Sequence, residues 1–281
     1  MHFPRFWAKG NCGAISCWRS SDVSESDAER LAIAAAMKIE EVFLSGTRPK
    51  NKYGYPNAAL REPVLREISD SSGTTAAAIT RNAYGCQVLN TARVMFVDVD
   101  FPEPKVPGVG GFLGKLFGGR SKTAPAPTDK EAEVVAKAET WCRSHEGWGW
   151  RVYRTLAGLR LLATHATFEP GDAATAEVFE SFGADPLYRR LCQTQKSFRA
   201  RLTPKSWRCG LRAPDVRWPW DNPQSESRFN QWDQKYQGIV QRYATCKLVS
   251  TTGPRETHPD VTAIVRLHDE MTRADSGLPL A

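Results

Sequence analysis

The stretch Val94-Met-Phe-Val-Asp-Val-Asp100 sets two carboxylates into the end of a run that otherwise reads as a buried strand. Side chains of a strand alternate between its faces, so Met95, Val97 and Val99 go to one side while Asp98 and Asp100 share the other. Two like charges at that spacing repel, and burying them without partners would cost several kcal/mol. A cation or water must sit between them. The same parity puts Arg160 and Thr164 on one face of Leu159-Arg-Leu-Leu-Ala-Thr164, and Arg199 with Arg201 on one face of Phe198-Arg-Ala-Arg-Leu202. With the apolar sides of these strands against helices, Asp98, Asp100, Arg160, Arg199 and Arg201 converge on one open sheet face. Two carboxylates for a divalent metal and several guanidinia for phosphates are what phosphoryl or nucleotidyl transfer requires, since that chemistry is largely positioning and charge neutralisation. A surface lattice of ion pairs is the competing reading of the same residues.

Strands are predicted at about 76–82, 86–91 and 94–100, then at Trp150–Thr155 and Leu159–Thr164, the last two joined by a turn at Leu156-Ala-Gly158. Between them Asp129 opens a helix to about His145, with Val134, Val135, Ala138 and Trp141 inward. Strand, helix, strand, strand gives an antiparallel-rich sheet with a helix on one face, as in the RNA-recognition and ferredoxin-like plaits, and leaves the other face open. Upstream, residues 11–19 read as one strand. A capping box at Ser26 and Glu29 then starts a helix to about Leu44, with Ala28, Leu31, Ala32, Ala35, Ile39, Val42 and Phe43 on one face. Downstream, helices are predicted at about 172–182, 186–195, 226–243 and 259–273, with a short strand at Ser197–Leu202 and an aromatic loop from Trp207 to Trp220. The expected fold class is α/β in the broad sense and α+β by the strict definition. It divides into an N-terminal αβ unit (1–74), a core (75–210) carrying a flexible basic insertion (101–128), and the aromatic loop with the C-terminal helices (211–281).

Asp98-Val-Asp100 at a strand end, the pair of strands around Arg154-Thr-Leu-Ala-Gly-Leu-Arg160, and Ala184-Asp-Pro-Leu-Tyr188 followed by Lys196-Ser-Phe-Arg-Ala-Arg-Leu-Thr-Pro-Lys205 occur in that order. The set resembles the three motifs of the archaeo-eukaryotic primase superfamily, particularly its primase-polymerase branch, over roughly residues 75 to 210. The resemblance implies a metal-dependent nucleotidyltransferase in which Asp98, Asp100 and Asp185 hold Mg²⁺ or Mn²⁺ and Arg160, Arg199, Arg201 and Lys205 contact phosphates. Its partners would be a nucleoside triphosphate and single-stranded or primer-template DNA. One departure stands out: where the family has histidine in the second motif, Gly158-Leu-Arg160 has arginine. Arginine holds a phosphate bidentately and keeps its charge, but it cannot titrate as an imidazole does. The departure opens one alternative, a non-catalytic domain binding single strands or a nucleotide, and the carboxylates themselves open another, a metal-dependent nuclease, since they can serve hydrolysis equally. Nearby His165 has the opposite parity and reads as a packed or surface histidine.

Composition agrees with these partners without selecting among them. The 281 residues are 41% hydrophobic and 25% charged, ordinary for a globular chain and incompatible with disorder throughout. The net charge of +7 favours polyanionic partners. Seven cysteines, an odd number with no apolar leader ahead of them, read as reduced thiols in a cytoplasmic protein. Cys12 with Cys17, and Cys142 with His145, each offer half of a zinc site with no second half at ligand spacing. No apolar run approaches the roughly 20 residues that span a bilayer, so no membrane partner is expected. Trp207 to Trp220 interleaves aromatics with arginines, which suits either a surface that stacks on bases or an aromatic loop packed under helices.

Overall fold

Two short strands, β1 (Phe6–Cys12) and β2 (Ile15–Ser21), pair antiparallel where one strand is predicted, with Gly13 at φ 53° in the turn between them. The computed structural model describes residues 1–46, 59–70, 72–101 and 129–281. The predicted insertion at 101–128 lies outside them apart from Phe101. Helix α1 (Glu25–Leu44) follows, and its N-cap is Ser24, whose hydroxyl accepts the Asp27 N–H at 3.0 Å, rather than Ser26. Ala28, Ala32 and Ala36 are the buried stripe of α1, while the larger Leu31, Ile39, Val42 and Phe43 are exposed. A sheet only two strands wide covers a narrow stripe, and small side chains let the helix lie close on it. These elements make up the first of two compact units, Met1–Glu62, and Pro63–Ala281 forms the second.

The second unit holds two four-stranded antiparallel sheets. One has the order β3 (Val64–Ser69), β4 (Thr75–Arg81), β5 (Gln87–Thr91), β9 (Phe198–Arg201). The other has the order β10 (Cys246–Thr252), β7 (Trp150–Thr155), β8 (Gly158–Ala163), β6 (Phe96–Asp100). With α2 (Asp129–Ser144), α3 (Ala173–Ser181), α4 (Pro186–Gln195), α5 (Pro223–Val240) and α6 (Pro259–Thr272), the architecture is α+β. The strand β6, helix α2, strands β7 and β8 stand in the predicted order. The fourth strand, β10, has no counterpart in the sequence reading and pairs with β7, which leaves β6 at the edge of its sheet.

One face of the β6 sheet carries Met95, Val97, Val99, Leu159, Leu161, Val152 and Trp150, all in the main core, where Trp150 meets Phe182 edge-on at 5.2 Å. Burying these side chains supplies the dominant stabilisation. The opposite face, expected to be open, is partly covered by α6. His268 lies 5.3 Å from the Phe96 ring and 4.6 Å from Tyr153, and Asp269 accepts from the Tyr153 hydroxyl at 2.6 Å and from Arg151 at 2.5 Å. Among the described residues, no helix is long and apolar enough to cross a membrane.

Candidate functional site

Strand register puts Asp98 opposite Arg160 and Asp100 opposite Gly158. The Arg160 guanidinium donates from Nε to Asp98 Oδ1 at 2.9 Å, and from Nη1 to the Arg201 carbonyl at 2.9 Å. His268 Nε2 lies 3.4 Å from the same Nη1. Arg160 is 2% exposed. Burial works against its charge, but the Asp98 carboxylate, joined by Cys246 and Tyr188, leaves the guanidinium pKa raised. Arg160 therefore holds Asp98 and ties β8 to β9 instead of lying on an open face for phosphate. His268, buried beside this cation, is pushed down to about 4 by desolvation first, with Arg160 adding to the depression, so it is neutral near neutrality.

Because β6 is an edge strand, its outward carbonyls need other partners. The Tyr188 hydroxyl donates to the Phe96 carbonyl at 2.9 Å and the Asp185 N–H donates to the Asp98 carbonyl at 3.2 Å. The Arg199 N–H reaches the Tyr188 oxygen at 3.4 Å, so one tyrosine bridges β6 and β9. Asp185 is thus brought beside the Asp98 strand, and its Oδ1 caps α4 by accepting the Tyr188 N–H at 2.8 Å. Pro186, at the first position of α4, needs no partner for a missing N–H.

Asp100 is the more exposed member of the pair, and its carboxylate makes no hydrogen bond or ion pair among the described residues. Burial first, and then Asp98 and Asp185, hold its carboxyl above the usual carboxylate range, while Lys205 and Arg201 pull the other way. Lys205 is half-buried and pushed down to about 8 by desolvation, with Arg201 and Arg208 repelling its charge and Asp100 opposing them. Arg208 is lowered by burial and by Arg201. The structure thus gathers Asp98, Asp100 and Asp185 with Arg201, Lys205 and Arg208 where the two sheets meet. Arg201 and Arg199 belong to the β3 sheet, not to the sheet of the carboxylates, and the Arg199 guanidinium donates to Gln195 Oε1 at 3.0 Å. Arg208, Tyr188 and His268 were not singled out from sequence as site residues. Tyr188 carried a signal there as the tyrosine of the Ala184-Asp-Pro-Leu-Tyr188 run, and Arg208 as a cation in the aromatic run.

Gly158 is set by geometry. A Cβ there would lie 2.0 Å from the Val99 carbonyl oxygen and 3.0 Å from the Asp100 Cα. Only a residue without a side chain lets β6 carry Asp100 this close to β8. His165 is half-buried, packed on Trp148 at 4.3 Å, and accepts the Gly149 N–H, as its parity predicted.

Among the described residues, no three His, Cys, Asp or Glu side chains form a group that could hold a metal ion. Asp185, expected as a third ligand, does not complete a three-donor group, which leaves the second oxygen of Asp98 and the whole Asp100 carboxylate as the donor set. That suits Mg²⁺, which keeps several waters and is commonly held by one or two carboxylates together with substrate phosphates. No protein-family model, curated protein or solved structure matches this chain.

Proposed function

We propose that the chain is a nucleotidyltransferase of primase-polymerase type that takes its divalent metal together with a nucleoside triphosphate. The observation that carries the reading is the Asp100 cluster. Crowded carboxylates on one strand edge face Arg201, Lys205 and Arg208, which make no ion pairs among the described residues, and the cluster is partly withdrawn from water. Asp98 and Asp100 would hold Mg²⁺ or Mn²⁺, which supplies charge neutralisation at the reacting phosphate. Lys205, Arg201 and Arg208 would bind the triphosphate oxygens, and Arg160 would fix Asp98 in place without touching substrate. Asp185 contributes negative field at Asp100 and anchors α4. The partner strand would be nucleic acid.

Thermal denaturation with Mn²⁺ and a nucleoside triphosphate tests this. Binding to the folded state alone raises the melting temperature by linkage, and Asp100→Asn should abolish the metal-dependent part of the rise. Primer synthesis and extension unchanged in both Asp100→Asn and Lys205→Ala would overturn the assignment. The Arg160–Asp98 pair specifically favours a second reading, a non-catalytic domain that binds a nucleotide or single strand through the same cations. A shift with triphosphate that is indifferent to Mn²⁺ selects it.

A further inference from the structure

In the Pro63–Ala281 unit, two aromatic side chains are exposed among the described residues, Tyr84 at 52% and Trp207 at 47%. They touch each other: their rings meet edge-to-face with centroids 5.2 Å apart. By contrast, Trp220 packs on Phe229 of α5, which continues through Trp232 to Tyr236 along the same helix, so Trp220 is taken up by α5 while Trp207 is exposed.

Both rings are mounted on fixed turns. Asn82 Oδ1 accepts the N–H groups of Tyr84 and Cys86 at 3.0 and 3.1 Å, and Arg81 donates to the Gly85 carbonyl while gripping Asp233 with both nitrogens at 2.7 and 3.0 Å. Gly85 has φ +80°, and a Cβ on it would fall 2.1 Å from the Trp232 ring. Trp207 sits in a 3-10 turn, Ser206–Cys209, whose Ser206 and Cys209 are buried and which ends in Gly210 at φ +81°. The surface is therefore ordered before anything binds, which lowers the entropic cost of binding. Lys205 Nζ lies 5.4 Å from the Trp207 ring centroid, and Arg201 and Arg208 are close enough to repel it.

We infer that Tyr84 and Trp207 form a stacking platform for the bases of a single-stranded nucleic acid whose backbone runs along Arg201, Lys205 and Arg208. Aromatic faces beside a row of cations, here three that make no ion pair among the described residues, are how single strands are held without sequence readout. A duplex presents base edges and keeps its base faces stacked inside, so it cannot use such a platform. The inference deepens the proposed function and rests on reading the Lys205 cluster as a phosphate site. It does not rest on metal or catalysis.

The test is fluorescence anisotropy of the full chain with a labelled single-stranded DNA of mixed sequence, without metal or nucleoside triphosphate. It is compared with an abasic strand of equal length and with the duplex. The single strand is expected to bind in a salt-sensitive manner. The abasic strand should bind about tenfold more weakly, and Trp207→Ala should lose a similar factor, whereas Trp207→Phe keeps most of the affinity. Arg208→Ala should weaken the intact and abasic strands alike. Equal binding of intact and abasic strands by the wild-type chain overturns the platform even if the variants fail to fold. So does unchanged affinity in a folded Tyr84→Ala, Trp207→Ala double variant. Because metal and triphosphate are absent, this result stands apart from failure of the nucleotidyl-transfer experiment.

Discussion

Asp98→Asn and Asp100→Asn remove the same charge from positions two residues apart on β6, yet they are expected to move stability in opposite directions. Asp98 compensates a cation that is 2% exposed, so neutralising it strands Arg160 and should cost about 3–5 kcal/mol, measured by urea denaturation. Asp100 is held above the usual carboxylate range by burial and by two neighbouring carboxylates. Removing its charge should leave the melting temperature unchanged or raise it. A large loss at Asp100 would mean that the cations of the site depend on it. Parity alone placed both aspartates and Arg160 on a common face, because alternation is a local property of a strand. That Arg160 is sealed beneath α6 was not legible, since it depends on where a helix far along the chain docks.

At the scale of elements, the close approach of β8 to the end of β6 makes Gly158→Ala a directed probe. The added methyl must displace the Val99 carbonyl, which should cost about 1–3 kcal/mol and shift Asp100, weakening the Mn²⁺-dependent thermal shift more than metal-free triphosphate binding. Helix α6 has its own pH dependence through His268, which faces Arg160 and Cys246, adjoins Asp269, and packs on Phe96 and Tyr153. Its folded pKa, about 4, lies below the ordinary 6.5, so the unfolded chain takes up the proton first. Stability is full above pH 6.5 and falls as pH drops towards 4, at about 1 kcal/mol per pH unit in denaturant titrations; His268→Gln should flatten that slope. The long helices were legible because their periodicity runs over several turns. β10 was not: Val249 lies on its exposed face while Ser250 and Thr252 lie on its inner one, so Cys246-Lys-Leu-Val-Ser-Thr-Thr252 shows no apolar–polar alternation to read. The β1–β2 hairpin was read as one strand because Gly13-Ala14 is not a strong turn dipeptide.

Across the whole molecule, the two sheets of the second unit are joined at β6 and β9 by Tyr188 and Arg160, and the cations lie at that seam. Binding of inorganic tripolyphosphate, followed by calorimetry, should weaken with added salt and fall as pH rises through about 8, where Lys205 in the free protein loses its proton. The stability contribution runs the opposite way. Between about 8 and the ordinary lysine value of 10.5 the unfolded chain holds the extra proton, so the burden of burying a charged Lys205 is relieved as pH climbs. The depressed Lys205 also has a chemical consequence. At pH 7 roughly a tenth of its side chains carry a free amine, against on the order of one in a few thousand for an ordinary lysine. A limiting dose of an acylating reagent therefore marks Lys205 ahead of lysines on the open surface. Whatever occupies the seam shields it, and peptide mass mapping reads that occupancy directly from the protein.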